Sequence, residues 1–188
     1  ISKGLLRKAR AAFERSLSVL APYAEQGLAI IGLEPSAILG FRDEAPDLVR
    51  GDEMAQRAAS VASGALLFEE FVCREAQAGH LERLRFADAP ARILLHGHCH
   101  QKSLVGIQPS VDALGLIPGV RVEVVPSGCC GMAGSFGYAH YALSMAIGEQ
   151  ALFPAVRDAD EDTVIAAPGT SCRHPLHDGP PPTAVHPP

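Results

Sequence analysis

Arg92-Ile-Leu-Leu-His-Gly-His-Cys-His100 decides how this chain folds. A short, continuous apolar run that stops at a cluster of polar donors is the pattern of a parallel strand buried on both faces. Three further runs have the same form: Leu28–Leu33, Val120–Val125 and Thr163–Ala167. Between them lie stretches with helical spacing. Residues 3–20 place Leu5, Leu6, Ala9, Ala12, Phe13, Leu17 and Leu20 on one side, before Pro22 and Gly27 mark a turn. Residues 53–78 are expected to form one long helix with Leu66, Leu67, Phe68, Phe71 and Val72 on its buried side. A polar loop after the strand at 92–96 is expected to lead into a helix that runs through about Leu116, and another helix is expected over 138–156. Helices alternating with apolar strands predict an α/β fold with a mostly parallel sheet.

In such sheets ligands collect beyond the carboxyl ends of the strands. Here those ends carry the unusual residues: His96–His100, Ser127–Gly131 and Thr170–His174. A weak internal repeat aligns Ile30-Ile-Gly-Leu-Glu-Pro-Ser-Ala37 with Ile165-Ala-Ala-Pro-Gly-Thr-Ser-Cys172. It suggests a tandem duplication of Rossmann-like half-domains with a shortened first copy. Residues 1–80 would be that remnant and 90–175 the second copy. The tail over 176–188 is rich in Pro, Gly and His, and is expected to be extended and poorly packed from Pro175 onward.

With 47% hydrophobic and 20% charged residues over 188 positions, a packed core is expected. The net charge of −5 and the absence of a dense basic run argue against nucleic acid. No apolar run approaches the roughly 20 residues of a membrane span, so direct membrane insertion is not expected. The chain opens on Ile1 rather than Met and is read as part of a longer protein. Five cysteines, an odd number, with two of them adjacent, fit a disulfide scaffold poorly; ligands or reactive thiols in a reducing compartment fit better. A cytoplasmic location follows, possible at the inner membrane only through partners.

His96-Gly-His98-Cys99-His100 is dense in soft and borderline metal donors, although a His-rich surface loop has the same composition. In an extended segment the three imidazoles would share one face and Cys99 would point the other way, so all four ligate one ion only if the chain turns. In Ser127-Gly-Cys129-Cys130-Gly131, adjacent cysteines rarely bond each other, and the flanking glycines let the backbone aim both sulfurs at one centre. Two buried thiols acting as small hydrophobes are the plain alternative. Cys73, beside Phe68 on a helix, is expected to serve packing.

Gly128, Gly131, Gly134 and Gly137 recur every third residue between a strand and a helix. A phosphate loop would need a Lys-Ser/Thr that this glycine-rich stretch lacks, and the cysteine pair occupies the positions a dinucleotide would use. Gly128, Gly131 and Gly134 are instead candidates to present backbone N–H groups to a cofactor. In Cys172-Arg173-His174, the Arg could hold a carboxylate or face solvent. The His could be a ligand, an orienting neighbour or an exposed loop residue. A Cys–His nucleophile is also conceivable, but acyl transfer has no use for a vicinal pair.

A cysteine, then 29 residues to Cys-Cys-Gly, then 41 to a further cysteine resembles the cysteine-rich CCG domain. That domain is found in the glycolate oxidase iron–sulfur subunit, the heterodisulfide reductase B subunit, and FAD-linked oxidases fused to an iron–sulfur region. Gly-Leu-Glu-Pro-Ser (32–36), Leu-His-Gly-His-Cys-His-Gln-Lys (95–102), Ser-Gly-Cys-Cys-Gly-Met-Ala-Gly-Ser-Phe-Gly (127–137) and Gly-Thr-Ser-Cys-Arg-His (169–174) resemble the last group most. The resemblance implies Cys99, Cys129, Cys130 and Cys172 as ligands of an iron–sulfur cluster, with His98, His100 and His174 as additional candidates. It implies electron transfer beside an FAD-binding dehydrogenase domain or subunit and a ferredoxin-like iron–sulfur domain, in oxidation of a D-2-hydroxy acid such as D-lactate, glycolate or D-2-hydroxyglutarate. FAD would belong to the missing part of the longer protein, and this piece alone would have no dehydrogenase activity. Two departures stand out: the family's final Cys-x-x-Cys reads Cys172-Arg-His174 here, and Ala37 replaces a cysteine in the first copy. A structural zinc-binding interaction module and a vicinal-thiol redox domain are the alternatives from other classes.

Overall fold

The computed structural model describes residues 1, 3–86, 90–178 and 184–187. The chain is α/β with small parallel sheets, divided into two compact units, Ile1–Phe71 and Val72–Pro188.

In the first unit, helix α1 (Leu6–Ala24) precedes strand β1 (Ile30–Gly32), and α2 (Pro35–Ile38) and α3 (Glu44–Leu48) flank a single 3-10 turn (Leu39–Phe41). Helix α4 (Asp52–Gly64) then leads into strand β2 (Ala65–Leu67) and α5 (Phe68–Gln77), which runs across the unit boundary. The single helix expected over 53–78 is therefore two helices separated by a strand. Ala65–Leu67 pairs in parallel with β1, and its ladder bonds outweigh the helical spacing of Leu66 and Leu67. Glu70 holds the break in place: its carboxylate accepts from the Leu67 amide at 2.9 Å and receives a two-pronged contact from Arg42. Leu17 and Ala21 of α1 pack with Ala58 and Val61 of α4 to form this unit's core.

The second unit is built on strands β3 (Arg92–Leu95), β4 (Arg121–Val124) and β5 (Val164–Ala166), all parallel, with β3 in the centre. Helices α6 (Cys99–Leu104) and α7 (Gln108–Gly115) connect β3 to β4. Helices α8 (Phe136–Ala139), α9 (Tyr141–Gly148) and α10 (Leu152–Arg157) lie between β4 and β5, and α11 (Thr170–Asp178) follows β5. Alternation along β3 sends Ile93 and Leu95 to one core, with Leu114 and Ile117, and Leu94 to the other, with Phe153, Ile165 and Leu176. The helix expected to run through about Leu116 and the one expected over 138–156 are each broken. Gly106 takes φ +88° between α6 and α7, and non-helical backbone at His140 and Ala151 separates α8, α9 and α10.

The tail is packed where it is described. Helix α11 continues through Pro175 to Asp178, Leu176 is 1% exposed, and Val185 exchanges backbone bonds with Ile165 and Ala167 beside β5. Residues 179–183 and 188 of the expected extended tail lie outside the described residues. The aligned repeat has a local structural counterpart, since Ala37 and Cys172 are each the third residue of the helix that follows a strand. The first 71 residues contain neither Cys nor His, so thiol and imidazole donors are confined to the second unit.

Candidate metal centre

Three strand ends deliver the donors. His96 directly follows β3, and its amide still bonds Ala166 O at 2.8 Å, so the extended backbone runs one residue past the strand. Alternation then turns His96 to the same side as Leu94, the side whose core contains Cys130 and Cys172. Ser127, Cys129 and Cys130 arrive from the loop after β4, and Cys172 from the first turn of α11 after β5.

His96, Cys130 and Cys172 are all buried and offer ligand atoms within 4.8 Å of one another. His98, Cys99 and His100 form a second such group, half open to solvent. Cys129 links the two groups through hydrogen-bonding contacts with both Cys99 and Cys130, and Cys130 in turn contacts Cys172. The four sulfurs thus form one continuous row, and all five cysteines of the chain are free thiols.

Protons along this row alternate. Cys129 is held down to about 2, chiefly by the Cys130 thiol and then by Cys99, with the Gly131 amide and the His96 ring assisting. Its contacts with Cys129 and Cys172, reinforced by burial, push Cys130 well up. Cys172 is drawn down to about 5, mainly by Cys130 and against the effect of burial, with the nearby His96 and His98 rings assisting. Cys99 is pushed up, first by its contact with Cys129 and then by burial. Two thiols donate and two thiolates accept, so half the row already has the charge a metal requires.

Backbone amides complete the surroundings. Gly131 N–H reaches Cys129 Sγ at 3.3 Å, and the amides of Met132 and His100 are directed at Cys130 and Cys99. Gly131 takes φ +95°, and a side chain there would also collide with the Ser144 carbonyl. Gly169 has a different role: a Cβ would run into the His98 ring and lie 3.3 Å from Cys172 Sγ. Lys102 ties the β4 loop from outside, its ammonium donating to the Ser127 and Gly128 carbonyls.

The chain turns at the His tract, the condition under which its donors could converge, because α6 begins at Cys99. His98 caps that helix, accepting from the His100 amide at Nδ1 while Nε2 meets Ser171 Oγ at 3.3 Å. His174 is exposed and stands edge-on to Tyr138, with ring centroids 5.9 Å apart, in neither donor group. Gly128 and Gly134 are exposed loop residues. Arg173 does not hang free; its guanidinium clamps the Ala167 and Pro168 carbonyls. Cys73 is half-buried rather than in a core cluster, and its Sγ lies 3.4 Å from the Pro109 carbonyl. His96 belongs to the tract but was not among the candidate ligands. Extending the β3 alternation by one step is the signal that would have placed it.

Known proteins share most of this chain. It is similar to the C subunit of the anaerobic glycerol-3-phosphate dehydrogenase of Escherichia coli (strain K12), at 26% identity over 168 residues, covering 88% of this chain and 40% of that protein. It is also similar to the D-2-hydroxyglutarate dehydrogenase of Escherichia coli (strain K12), at 27% over 175 residues, covering 91% and 16%. The enzyme of the same name from Pantoea ananatis (strain AJ13355) matches at 27% over 177 residues, again covering 91% and 16%. The chain therefore spans under half the length of each relative. No family model matches the chain, and no solved structure matches it. No helix among the described residues is long and apolar enough to cross a membrane.

The residues fit a thiolate-bound metal centre. The donors are thiols and imidazoles, amides are directed at three of the four sulfurs, and the buried His96 ring lies beside Cys172. Around a tetrahedral ion, sulfur ligands stand about 3.7 Å apart, so donors spread over 4.8 Å need only a small inward movement.

Proposed function

We propose that this chain is the iron–sulfur, electron-transferring part of a flavin-dependent dehydrogenase of the D-2-hydroxy acid type. The observation that carries the reading is the single row of four sulfurs, Cys99, Cys129, Cys130 and Cys172, gathered from three strand ends. The similarity to stretches of two dehydrogenases supports it, since both relatives are redox enzymes by name. An iron–sulfur group held by these thiolates would supply one-electron storage. The chain's own contribution is to bury Cys130 and Cys172 and to direct amide N–H groups at sulfur. Those amides stabilise the added negative charge of the reduced form, and so raise the reduction potential. The partners implied are an FAD-binding dehydrogenase domain or subunit and a ferredoxin-like iron–sulfur domain.

The test is iron and acid-labile sulfide analysis of the chain purified without oxygen, together with its visible spectrum. Stoichiometric iron and sulfide, a brown colour, and loss of both in Cys129→Ser are expected. Neither iron nor sulfide, with Cys129→Ser unchanged, overturns the proposal.

A structural zinc site is the second reading, favoured by the mixed nitrogen and sulfur donors His96, Cys130 and Cys172. A colourless protein with stoichiometric zinc would select it.

A further inference from the structure

His96 is a buried imidazole whose placement the four cysteines do not explain. It is 1% exposed, and beyond Ser127 the ring's hydrogen-bonding neighbour is the Cys172 thiol, with no oxygen or nitrogen partner at Nε2 among the described residues. A nitrogen at that depth with only a thiol beside it is poorly satisfied, and a bound metal ion shared with Cys172 would satisfy it. The rest of the ring is fully constrained. Its backbone continues the β3–β5 ladder, and Nδ1 lies 2.7 Å from Ser127 Oγ.

We propose that His96 Nε2 is a nitrogen ligand of the metal centre, sharing the metal with Cys130 and Cys172. This rests on the reading that these thiols hold a metal. Their ligand atoms lie within 4.8 Å of one another, all three residues being buried. In the tautomer that donates Nδ1–H to Ser127, the Nε2 lone pair is left directed at the metal, the usual way in which a ligating histidine is oriented. Two thiolates and a neutral imidazole also leave a divalent ion with no net charge, which suits a site closed to water. Loading such an ion releases the protons remaining on the two thiols, while the His96 proton stays on Nδ1.

The other imidazoles nearby are committed elsewhere. Both ring nitrogens of His98 are engaged by His100 N–H and Ser171, and His174 packs on Tyr138.

The test uses the 188-residue chain, stripped of metal without oxygen and loaded with one equivalent of cobalt(II). X-ray absorption reports imidazole and thiolate ligation separately. The wild type is expected to show both, and His96→Ala is expected to lose the imidazole signal and bind cobalt at least about 10-fold more weakly. A His98→Asn/His100→Ala variant is expected to keep both signals. An imidazole signal that survives in His96→Ala, or that disappears in the double variant, overturns the assignment. An all-sulfur wild-type spectrum removes His96 and leaves the thiolate centre standing, whereas no cobalt binding removes both. Should His96→Ala fail to fold, the wild-type and double-variant spectra decide the question by themselves.

Discussion

His96 Nδ1 stands 2.7 Å from Ser127 Oγ, joining two buried side chains that follow neighbouring strands of the central sheet. The bond fixes the ring plane. Ser127→Ala is expected to weaken cobalt(II) or zinc binding by roughly 10-fold or more, as removal of a histidine's orienting partner does elsewhere. It should also cost about 1 kcal/mol of stability. Metal titration beside urea denaturation separates the two effects; unchanged metal affinity would show that Ser127 plays no part at the site.

Gly169 marks the closest approach between α11 and the His tract, since a Cβ there meets the His98 ring and Cys172 Sγ. Gly169→Ala is expected to destabilise the chain by about 1–3 kcal/mol through overpacking. Gly128, with nothing within 4 Å of its Cβ direction, is the control. Gly128→Ala should stay within about 0.5 kcal/mol of wild type. Equal denaturation midpoints for the two variants would contradict the packing argument.

Exposure and reactivity should run in opposite order along the sulfur row. Cys99 is the more exposed thiol but is held protonated by Cys129, which is itself kept near 2 by its two thiol donors. Alkylation follows the thiolate. Brief iodoacetamide treatment of the metal-free chain near neutral pH is therefore expected to label Cys129 ahead of Cys99. Peptide mapping by mass spectrometry reads the order, and prior labelling of Cys99 would refute the proton arrangement.

Stability of the metal-free chain should depend on pH with two signs. Cys172 has lost its proton in the folded chain above about 5, and Cys129 above about 2. An unfolded thiol keeps its proton up to about 8.5. Between about pH 5 and 8.5 the unfolded chain binds more protons, so these two thiols make stability rise with pH. Their contribution is fully present above that range, and the Cys172 part is lost as pH falls through its folded value. Cys99 and Cys130 are shifted the other way. They hold protons when folded that an unfolded chain gives up, so they reduce stability as pH rises past about 8.5. Urea midpoints across this range, compared with Cys172→Ser, provide the measurement. A variant whose slope below pH 8.5 equals that of wild type would rule out Cys172 as a source.

The parallel α/β character and the convergence of three strand ends were legible in the sequence because apolar runs and their polar termini are local patterns. The cysteines announced themselves by type and spacing. Less local features were misread. Ala65–Leu67 has helical spacing but takes a strand because β1 offers it ladder bonds. The tail has a loop-like composition, yet Leu176 and Val185 find a groove and a strand edge to occupy.

What the sequence by itself determined, then, is the inventory of donors and the sheet edge at which they meet. Which donors face the same point was decided by tertiary structure alone. His96 and His174 are the same residue type, and each lies beside a proposed ligand segment. One is carried inward by strand alternation and held by Ser127, the other is left on the outer side of α11 against Tyr138. That difference depends on where β3 ends and where α11 begins relative to each other, and long-range packing sets it rather than residue identity.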